Sequence, residues 1–578
     1  MCERITVLKF GGSVLRGEDD LAAGVHEVYR WLRQGRRVVV VVSAFEGTTD
    51  ALVARARGYT DAPSGDAHAL LLSTGECTTA ALLCLALARA GVPARVLGPH
   101  ALGLRTRGEG TDADPASIDL VALQRALREA PVVLVPGFIG AGADGNVTLL
   151  GRGGSDLTAL FIAAELRHEA GRDVQCRLIK DVDGLYDRDP KAAGPAARRY
   201  QTLSWNDALA LDGGIVQHKA VRLARERGLL FEVAAFQRED CSRVGALGVS
   251  WHDGTLERPL RVAVLGCGTV GTGVVRHLAQ HPSAFEVTGV VVRDAGKVRE
   301  VPANVRVTTN LDEALERADV LVEVAGGVDQ AHAAVRWAVE RGLQVVTANK
   351  ALLAAHGAEL DTWADAKGVR VLRSASVGGG VPMLETVARV AAEVGVASFE
   401  GVLNGTTNFV LERVRHGDTF DAAVRTAQRL GYAEADPTRD LDGTDAFEKL
   451  VLLCRAAFGA GADLSGLTRV GLVGAGACEL PDANGRGAVR LVAWAARGAQ
   501  GVISGGVGPT VVPPGHAFHV LPGATNCLCV RDVLGATHTC TGAGAGQWPT
   551  AESVVADLWD LWRCARTETT CEEVCDAA

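Results

Sequence analysis

Two glycine-rich runs constrain this chain most. Gly151-Arg152-Gly153-Gly154-Ser155-Asp156 and Gly266-Cys267-Gly268-Thr269-Val270-Gly271 each stand between an apolar, β-rich run and a helical run. Glycines at such a junction let backbone N–H groups approach an anion at the helix start, so a phosphate can be held by the main chain itself. Two such loops with different neighbours imply two nucleotide sites and two chemistries. The 578 residues exceed a single core, and a prior of about 150 residues per domain gives roughly four compact units.

Short β-rich runs at 5–8, 37–42, 94–97, 131–136 and 177–179 alternate with helical patterns at 21–34, 77–90 and 157–170. That alternation predicts an α/β fold with a mostly parallel sheet covered on both faces. The pattern weakens over 238–259 and resumes at Leu260. Beyond Gly378 it is mixed, with long helices at 383–394, 420–431 and 444–458, and the segment 551–563 reads as a last helix. Apolar residues make up 48% and charged residues 22%, as in soluble globular proteins. The net charge of -9 leaves no basic excess for a nucleic-acid backbone. The N-terminus runs straight into a strand and no apolar run approaches membrane-spanning length, so the reading is a cytoplasmic protein with no membrane partner. The fourteen Cys form no CxxC pair. They read as reduced thiols, and Cys564, Cys571 and Cys575 lack the partners of a zinc site.

Phosphoryl-transfer signals cluster in the first 240 residues. The strand at 5–8 leads into Lys9-Phe10-Gly11-Gly12-Ser13, an ammonium followed by open backbone. Ser43, Gly47-Thr48-Thr49 and Ser73-Thr74-Gly75-Glu76 are each expected to follow a strand or open a helix, where hydroxyls and N–H groups meet an anion. In the loop at 151–156, Arg152 offers a fork for a carboxylate and Asp156 a group that orients a Lys or a metal. Lys180-Asp181-Val182-Asp183-Gly184-Leu185-Tyr186-Asp187 is an acidic turn after a strand, suited to a nucleotide. Singly these are weak signals, and none is the GxxxxGK[ST] P-loop. In this order and spacing they resemble the amino-acid kinase superfamily across about 4–236, and Gly-Arg-Gly-Gly-Ser-Asp resembles aspartate kinase. The resemblance implies transfer of the ATP γ-phosphoryl group, with Mg2+, to the side chain of aspartate. Lys9 and Asp156 would be catalytic. Arg152 would hold the α-carboxylate and Glu76 the ammonium, with Ser43 and Thr48 also at the substrate; Gly11, Gly12, Ser13, Asp181 and Tyr186 would hold the nucleotide. Lys180 stands where the family usually has Thr, and Asp187 replaces a small hydroxyl residue; both are expected near the adenosine.

The second loop gains meaning from context. A buried-strand run at 261–265, the GxGxxG, a helix from 272 and a second strand at 287–292 form the βαβ arrangement that seats a pyrophosphate at a helix N-terminus. Arg293 and Lys297 at the second strand tip favour the 2′-phosphate of NADP, with NAD the second candidate because of Asp294. Downstream, Val345-Val346-Thr347-Ala348-Asn349-Lys350, Asn404-Gly405-Thr406-Thr407-Asn408 and Gly431-Tyr432-Ala433-Glu434-Ala435-Asp436-Pro437 precede a helix on which Asp445 and Lys449 fall four apart. These runs resemble homoserine dehydrogenase over about 260–560. The likeness implies reversible hydride transfer between NAD(P)H and aspartate semialdehyde, giving homoserine. Lys350 and Lys449 would be catalytic and Glu434 and Asp445 would bind substrate. Gly266, Gly268, Thr269, Val270, Gly271, Arg293, Lys297, Gly327, Thr347 and Gly544 would hold the cofactor, Gly544 within a closing loop at 542–546. Carbonyls of Val377 and Gly379 would hold a monovalent cation, in a loop where Ser374 replaces a common Glu.

The expected organisation is an amino-acid-kinase-like parallel-sheet sandwich over 1–237, a linker over 238–259 and a Rossmann domain over 260–380. An α+β substrate and dimerisation domain follows over 381–540, with 541–578 returning to the Rossmann domain. The two steps belong to the pathway to threonine, methionine and lysine, and a homo-oligomer, dimer or tetramer, is expected. They are not consecutive, because the acyl phosphate must first be reduced elsewhere. The alternative is an active dehydrogenase fused to a kinase-like module that is non-catalytic or differently specific. Aspartate kinases usually continue into paired ACT domains, but roughly twenty residues between the two halves cannot hold one. Threonine or lysine titrated against both activities should therefore leave them unchanged, and inhibition at low concentration would refute this.

Overall fold

A computed structural model describes residues 3–61, 65–108, 110–168, 172–190, 197–252, 258–473, 487–498, 501–544 and 547–576, with side chains to 564 in the last segment. The chain divides into two compact units, Met1–Arg89 with Pro93–Leu256 and Glu257–Ala578 with Ala90–Val92.

In the first unit the elements are β1 (Glu3–Phe10), α1 (Leu21–Arg33), β2 (Arg37–Val42), α2 (Thr48–Arg57), α3 (Gly65–Arg89), β3 (Ala94–Val96), β4 (Val132–Pro136), α4 (Gly154–Arg167), β5 (Arg172–Ile179), β6 (Tyr200–Ser204), α5 (His218–Glu226), β7 (Phe231–Ala234), β8 (Ser242–Gly245) and β9 (Ser250–Trp251). Among the described residues they build a nine-stranded sheet in the order β9-β6-β8-β7-β5-β1-β2-β4-β3. β1, β2, β4 and β5 run parallel, and the Val-rich β2 is buried along its length because helices cover both faces. A four-stranded sheet, Arg105–Arg107, Asp114–Ser117, Ile139–Ala141 and Val147–Leu149, stands beside it.

The stretch 238–259 differs from its reading as a linker, because β8 lies there between β6 and β7 and β9 forms the edge of the sheet. Their brevity and polar residues conceal them: Thr202 pairs with Ser250 through hydroxyls, 2.7 Å apart. Among the described residues α3 is long and apolar enough to cross a membrane, yet it is a core helix that buries Leu72, Leu83 and Leu87.

The second unit opens with β10 (Leu260–Leu265), α6 (Thr269–Gln280), β11 (Phe285–Val291), β12 (Val307–Thr308), β13 (Val320–Glu323), α7 (Asp329–Glu340), β14 (Gln344–Thr347), α8 (Lys350–Lys367) and β15 (Val371–Leu372). These strands form a parallel sheet in the order β12-β11-β10-β13-β14-β15, with the order reversing at β10, where open α/β sheets bind ligands. Next come α9 (Met383–Glu393), β16 (Val396–Val402), α10 (Gly405–Arg415), α11 (Phe420–Arg429), α12 (Thr444–Phe458), β17 (Ala488–Arg497), β18 (Ile503–Val512), β19 (Thr525–Asp532), β20 (Thr537–Ala543) and α13 (Gln547–Asp576). Their sheet, edged by Thr468–Arg469, runs β18-β17-β16-β19-β20. α13 is longer than its sequence pattern, and its apolar face (Val554, Leu558, Trp559) closes over the parallel sheet with Phe285, 4.7 Å from Trp559 between ring centroids.

Candidate active sites

The first site forms where parallel strands end. β1 and β5 are neighbours with Lys9 opposite Leu178 and Phe10 opposite Ile179. The residue after β5 is Lys180, so the topology sets two lysines side by side. Asp156, in the first turn of α4, lies between them: Lys9 Nζ is 2.7 Å from its Oδ1 and Lys180 Nζ 2.7 Å from its Oδ2. All three are buried. Burial pushes the Lys9 ammonium down to about 8, against the pull of Asp156. Burial also acts to raise Asp156, but the two ammonium groups outweigh it and hold the carboxyl below its usual range. Two cations on one carboxylate leave a positive charge facing the cavity.

That cavity encloses about 630 Å3 and is lined by Gly12, Ser13, Ser43, Thr49, Glu76, Phe138 and the loop from Gly151 to Asp156. α2 and α4 start from Gly47 and Gly153, both in the left-handed region and neither providing a side-chain cap. Thr48 N–H bonds the Phe45 carbonyl and Gly154 N–H the Gly151 carbonyl, which leaves the next N–H groups of each first turn for an anion. A Cβ on Gly153 would stand 2.6 Å from Gln217 Cγ, so the loop requires glycine. Across the cavity Glu76 is buried. The Ala44 N–H donates to its Oε1 at 3.3 Å, while Oε2 has no hydrogen-bond partner among the described residues. Burial pushes its carboxyl up to about 7. Arg152 is exposed along the same cavity.

Several expectations change. Ser73-Thr74-Gly75-Glu76 does not open a helix: it lies inside α3, which begins eight residues earlier than Ser73, at Gly65, because the leucine-rich turns before it are helical too. Thr48 turns its γ-methyl toward Gly75 of α3, and Thr49 lines the cavity instead. Asp181 is exposed, and Tyr186 donates its hydroxyl to Asp183 at 2.6 Å; neither lines the cavity. Lys180, expected near an adenosine, lines the cavity beside Lys9 and Asp156. Asp187 accepts from the Arg198 N–H at 2.9 Å and holds the turn together. Gly11 sits behind Lys9, where a Cβ would stand 3.0 Å from the ammonium. Phe138, which periodicity does not single out, reaches the cavity from a left-handed backbone (φ 69°).

In the second unit the GxGxxG turn is built as its spacing demands. A Cβ on Gly266 would meet Ala325 Cα at 2.6 Å and one on Gly271 would meet the Gly266 carbonyl at 2.2 Å, while Gly268 faces open space. Thr269 and Val270 start α6, which has no side-chain cap. This is a cradle for a pyrophosphate. A hollow of about 230 Å3 lies between Cys267, Thr272 and Lys297–Glu300. Lys297 lines it; Arg293 is exposed outside it, and Asp294 accepts from the Gly296 N–H at 2.8 Å.

Two lysines again share one carboxylate. Asp445, in the first turn of α12, is 2.7 Å from Lys350 and 2.7 Å from Lys449. Burial acts to raise Asp445, but Lys449 and Lys350 hold it far below the usual carboxylate range. Burial acts to lower Lys350, but Asp445, with Glu448 and Asp440, outweighs it and holds the ammonium above its usual range. Lys449 also donates to the Leu403 carbonyl at 2.8 Å and is fixed, whereas the Lys350 side chain is 35% exposed. Asn404 accepts from Thr407 N at 2.8 Å, capping α10, and its amide donates to Asp440 at 2.7 Å and Asp445 at 2.8 Å. Asn349 caps α8 and donates to the Gly327 carbonyl at 2.6 Å, which ties the Gly326-Gly327 turn to Lys350. Thr347 donates to the buried Glu323 at 2.7 Å. Glu434 is exposed; Asp440, on the same acidic loop, is the carboxylate beside Asp445. Gly544 packs against Asn526, and Ala545 and Gly546 lie outside the described residues.

A dinucleotide cradle with a lysine–carboxylate cluster below it defines an NAD(P)-dependent oxidoreductase, and a glycine-lined phosphate cavity in a separate unit adds a phosphotransferase. Family profiles agree: residues 4–230 match the amino acid kinase family, 266–373 the homoserine dehydrogenase NAD-binding domain and 382–559 homoserine dehydrogenase. Homoserine dehydrogenase of Synechocystis sp. is 36% identical over 52% of this chain and 73% of its own length, and that of Pseudomonas aeruginosa 35% over 54% and 74%. The crystal structure of a homoserine dehydrogenase from Thiobacillus denitrificans has 33% identity over 54% of this chain and 74% of that one, with a TM-score of 0.49. The chain belongs to the homoserine dehydrogenase family, carrying an amino acid kinase domain ahead of the dehydrogenase. It is a bifunctional enzyme of amino-acid biosynthesis.

Proposed function

We propose that the first unit phosphorylates the side-chain carboxylate of free L-aspartate from ATP and that the second reduces aspartate 4-semialdehyde to homoserine. The observation that carries the kinase reading is the pairing, in one cavity, of an orphaned buried carboxylate oxygen on Glu76 with the Lys9–Asp156–Lys180 cluster. Glu76 suits a substrate ammonium and Arg152 an α-carboxylate, which favours a free amino acid over an N-acylated one. A substrate carboxylate oxygen then forms the new bond to the γ-phosphorus as the bond to ADP breaks, and Lys9 and Lys180 stabilise the charge spread over the transferring oxygens. Asp156 is committed to both lysines, so Mg2+ is best carried by the nucleotide's own phosphates. A coupled ATP assay across aspartate, glutamate and N-acetylglutamate, run on wild type and Lys9→Ala, tests this. Turnover only with aspartate, lost in the variant, is expected; no turnover with any of the three would leave a non-catalytic module.

The pH dependence follows from Glu76. Ammonium binding needs its ionised form, and burial holds the carboxyl at about 7. Above that pH the KM for aspartate should be flat. Below it the proton competes, and KM should rise by up to about tenfold per pH unit. A Glu76→Gln variant should have a high KM without the pH slope; a slope retained in it would refute the assignment.

For the dehydrogenase, the Gly266–Gly271 cradle would hold a nicotinamide dinucleotide, which would supply the hydride for the aldehyde carbon. Lys350, the more exposed ammonium, gives the proton to the oxygen, and Lys449, locked by Asp445 and Leu403, orients it. Glu434, exposed and in no ion pair among the described residues, and the Asp440–Asp445 pair offer oxygens to the substrate ammonium. NADP is favoured, since Asp294 is engaged in its own turn while Lys297 faces the hollow beside the cradle. Lys297→Glu should raise KM for NADPH roughly tenfold, about 1.4 kcal/mol, with little change for NADH; equal effects on both would argue against a 2′-phosphate there. The Ser374 departure has a counterpart in the buried Asp557, whose carboxylate accepts from Ser374 N at 3.1 Å and Ser374 Oγ at 2.6 Å. With oxygen donors alone, the Val377 carbonyl and the Gly379 carbonyl, which also accepts from the Ser553 hydroxyl, suit a hard monovalent cation that would stiffen the loop. Cytoplasmic location and a homo-oligomer built through the dehydrogenase half complete the reading.

A further inference from the structure

A side-chain cluster that neither reaction uses lies on the outer helices of the parallel-sheet part of the second unit. His332 sits in the first turn of α7, its N–H bonded to the Val328 carbonyl at 2.8 Å. His356 and Glu359 are three apart in α8 and so share a face of that helix. His332 Nε2 is 3.1 Å from Glu359 Oε2 and His356 Nδ1 is 3.2 Å from the same oxygen. The two imidazoles lie with centroids 4.1 Å apart at 31°, and the donor atoms of all three side chains fall within 4.8 Å of one another.

We propose that His332, His356 and Glu359 bind one divalent transition-metal ion of the zinc class. Two imidazole nitrogens and a carboxylate oxygen form a borderline donor set that suits Zn2+, Co2+ or Ni2+ and disfavours Mg2+ and Ca2+, which take oxygen ligands. Ligands held at about 2.0–2.1 Å around a tetrahedral ion stand roughly 3.3 Å apart. The two nitrogen–oxygen separations are already close to that, and the two imidazole nitrogens, within 4.8 Å of each other, need only draw together by side-chain rotation to admit the ion. Three protein ligands leave the fourth position open, and the half-buried histidines with an exposed Glu359 make the site exchangeable. The ion would staple α7, which follows the Gly326-Gly327 turn, to α8, which begins with Lys350.

Calorimetric titration of the chelator-treated full chain with Zn2+, under a thiol reductant, tests this. The expected result is one ion per chain more for wild type than for His332→Ala or for His356→Ala, with Glu359→Gln weakened. Equal stoichiometry and affinity in wild type and both alanine variants would overturn the proposal. Trp363, 5.3 Å from the His332 ring between centroids, gives a second readout. Co2+ or Ni2+ should quench part of the tryptophan emission in wild type and not in Trp363→Phe. A quench identical in the two proteins counts against the site. Equal melting temperatures of wild type and variants in chelator establish that the substitutions leave the fold intact.

Discussion

Lys180→Met is expected to lower kcat of the kinase by about 10²- to 10³-fold, the usual cost of deleting one aimed charge from a preorganised site, while homoserine dehydrogenase turnover stays at the wild-type value. Methionine keeps the stem and removes the ammonium. The cluster then falls from two cations on Asp156 to one, and the net charge offered to the transferring phosphoryl group falls to zero. Lys180→Arg should recover part of the rate, because the charge returns on a broader head. The same substitution has a sign that a merely structural lysine would not produce. Lys180 is one of the groups depressing Lys9, so its removal should move the alkaline limb of the kinase pH profile upward from about 8. Wild-type kcat with an unmoved profile would return Lys180 to a structural role.

Asp445→Asn should abolish homoserine formation and cost about 3–5 kcal/mol of stability, the penalty for stranding a buried charge. The amide fits the volume, but Lys449 would remain buried with the Leu403 carbonyl as its hydrogen-bond partner and only the more distant Asp440 as counter-charge, and Lys350 would lose its anchor. Denaturant melts and a dehydrogenase assay on Asp445→Asn and on the double variant Asp445→Asn with Lys449→Met separate the two effects. The double variant should regain part of the stability, because the stranded Lys449 ammonium is gone, and none of the activity. If Asp445→Asn alone melts like wild type, the cluster is not held by the charge balance described.

Much of the chemistry is legible locally. A glycine whose added Cβ would stand 2.6 Å from a neighbouring backbone atom, as at Gly266 against Ala325 Cα, leaves a mark in sequence because no other residue fits. So do the i, i+4 pair of Asp445 and Lys449 and the asparagine caps at Asn349 and Asn404, since each is set by spacing along one helix. The strands β8 and β9 were not legible: four and two residues carry no periodic signal, and only pairing with β6 and β7 makes them strands.

The sequence by itself determined the two glycine loops, the alternation that makes parallel sheets and the lysines and carboxylates available to each half. Which lysine meets which carboxylate was decided by tertiary structure. Lys180 reads as a misplaced residue of a nucleotide turn until β5 is laid beside β1, when it becomes the partner of Lys9 across Asp156. Lys350 likewise meets Asp445 only once α8 and α12 pack in one core. The reason is range: spacing fixes neighbours within a few residues on one element, whereas contacts between strand ends depend on strand order, which a chain acquires only by burying its apolar faces together.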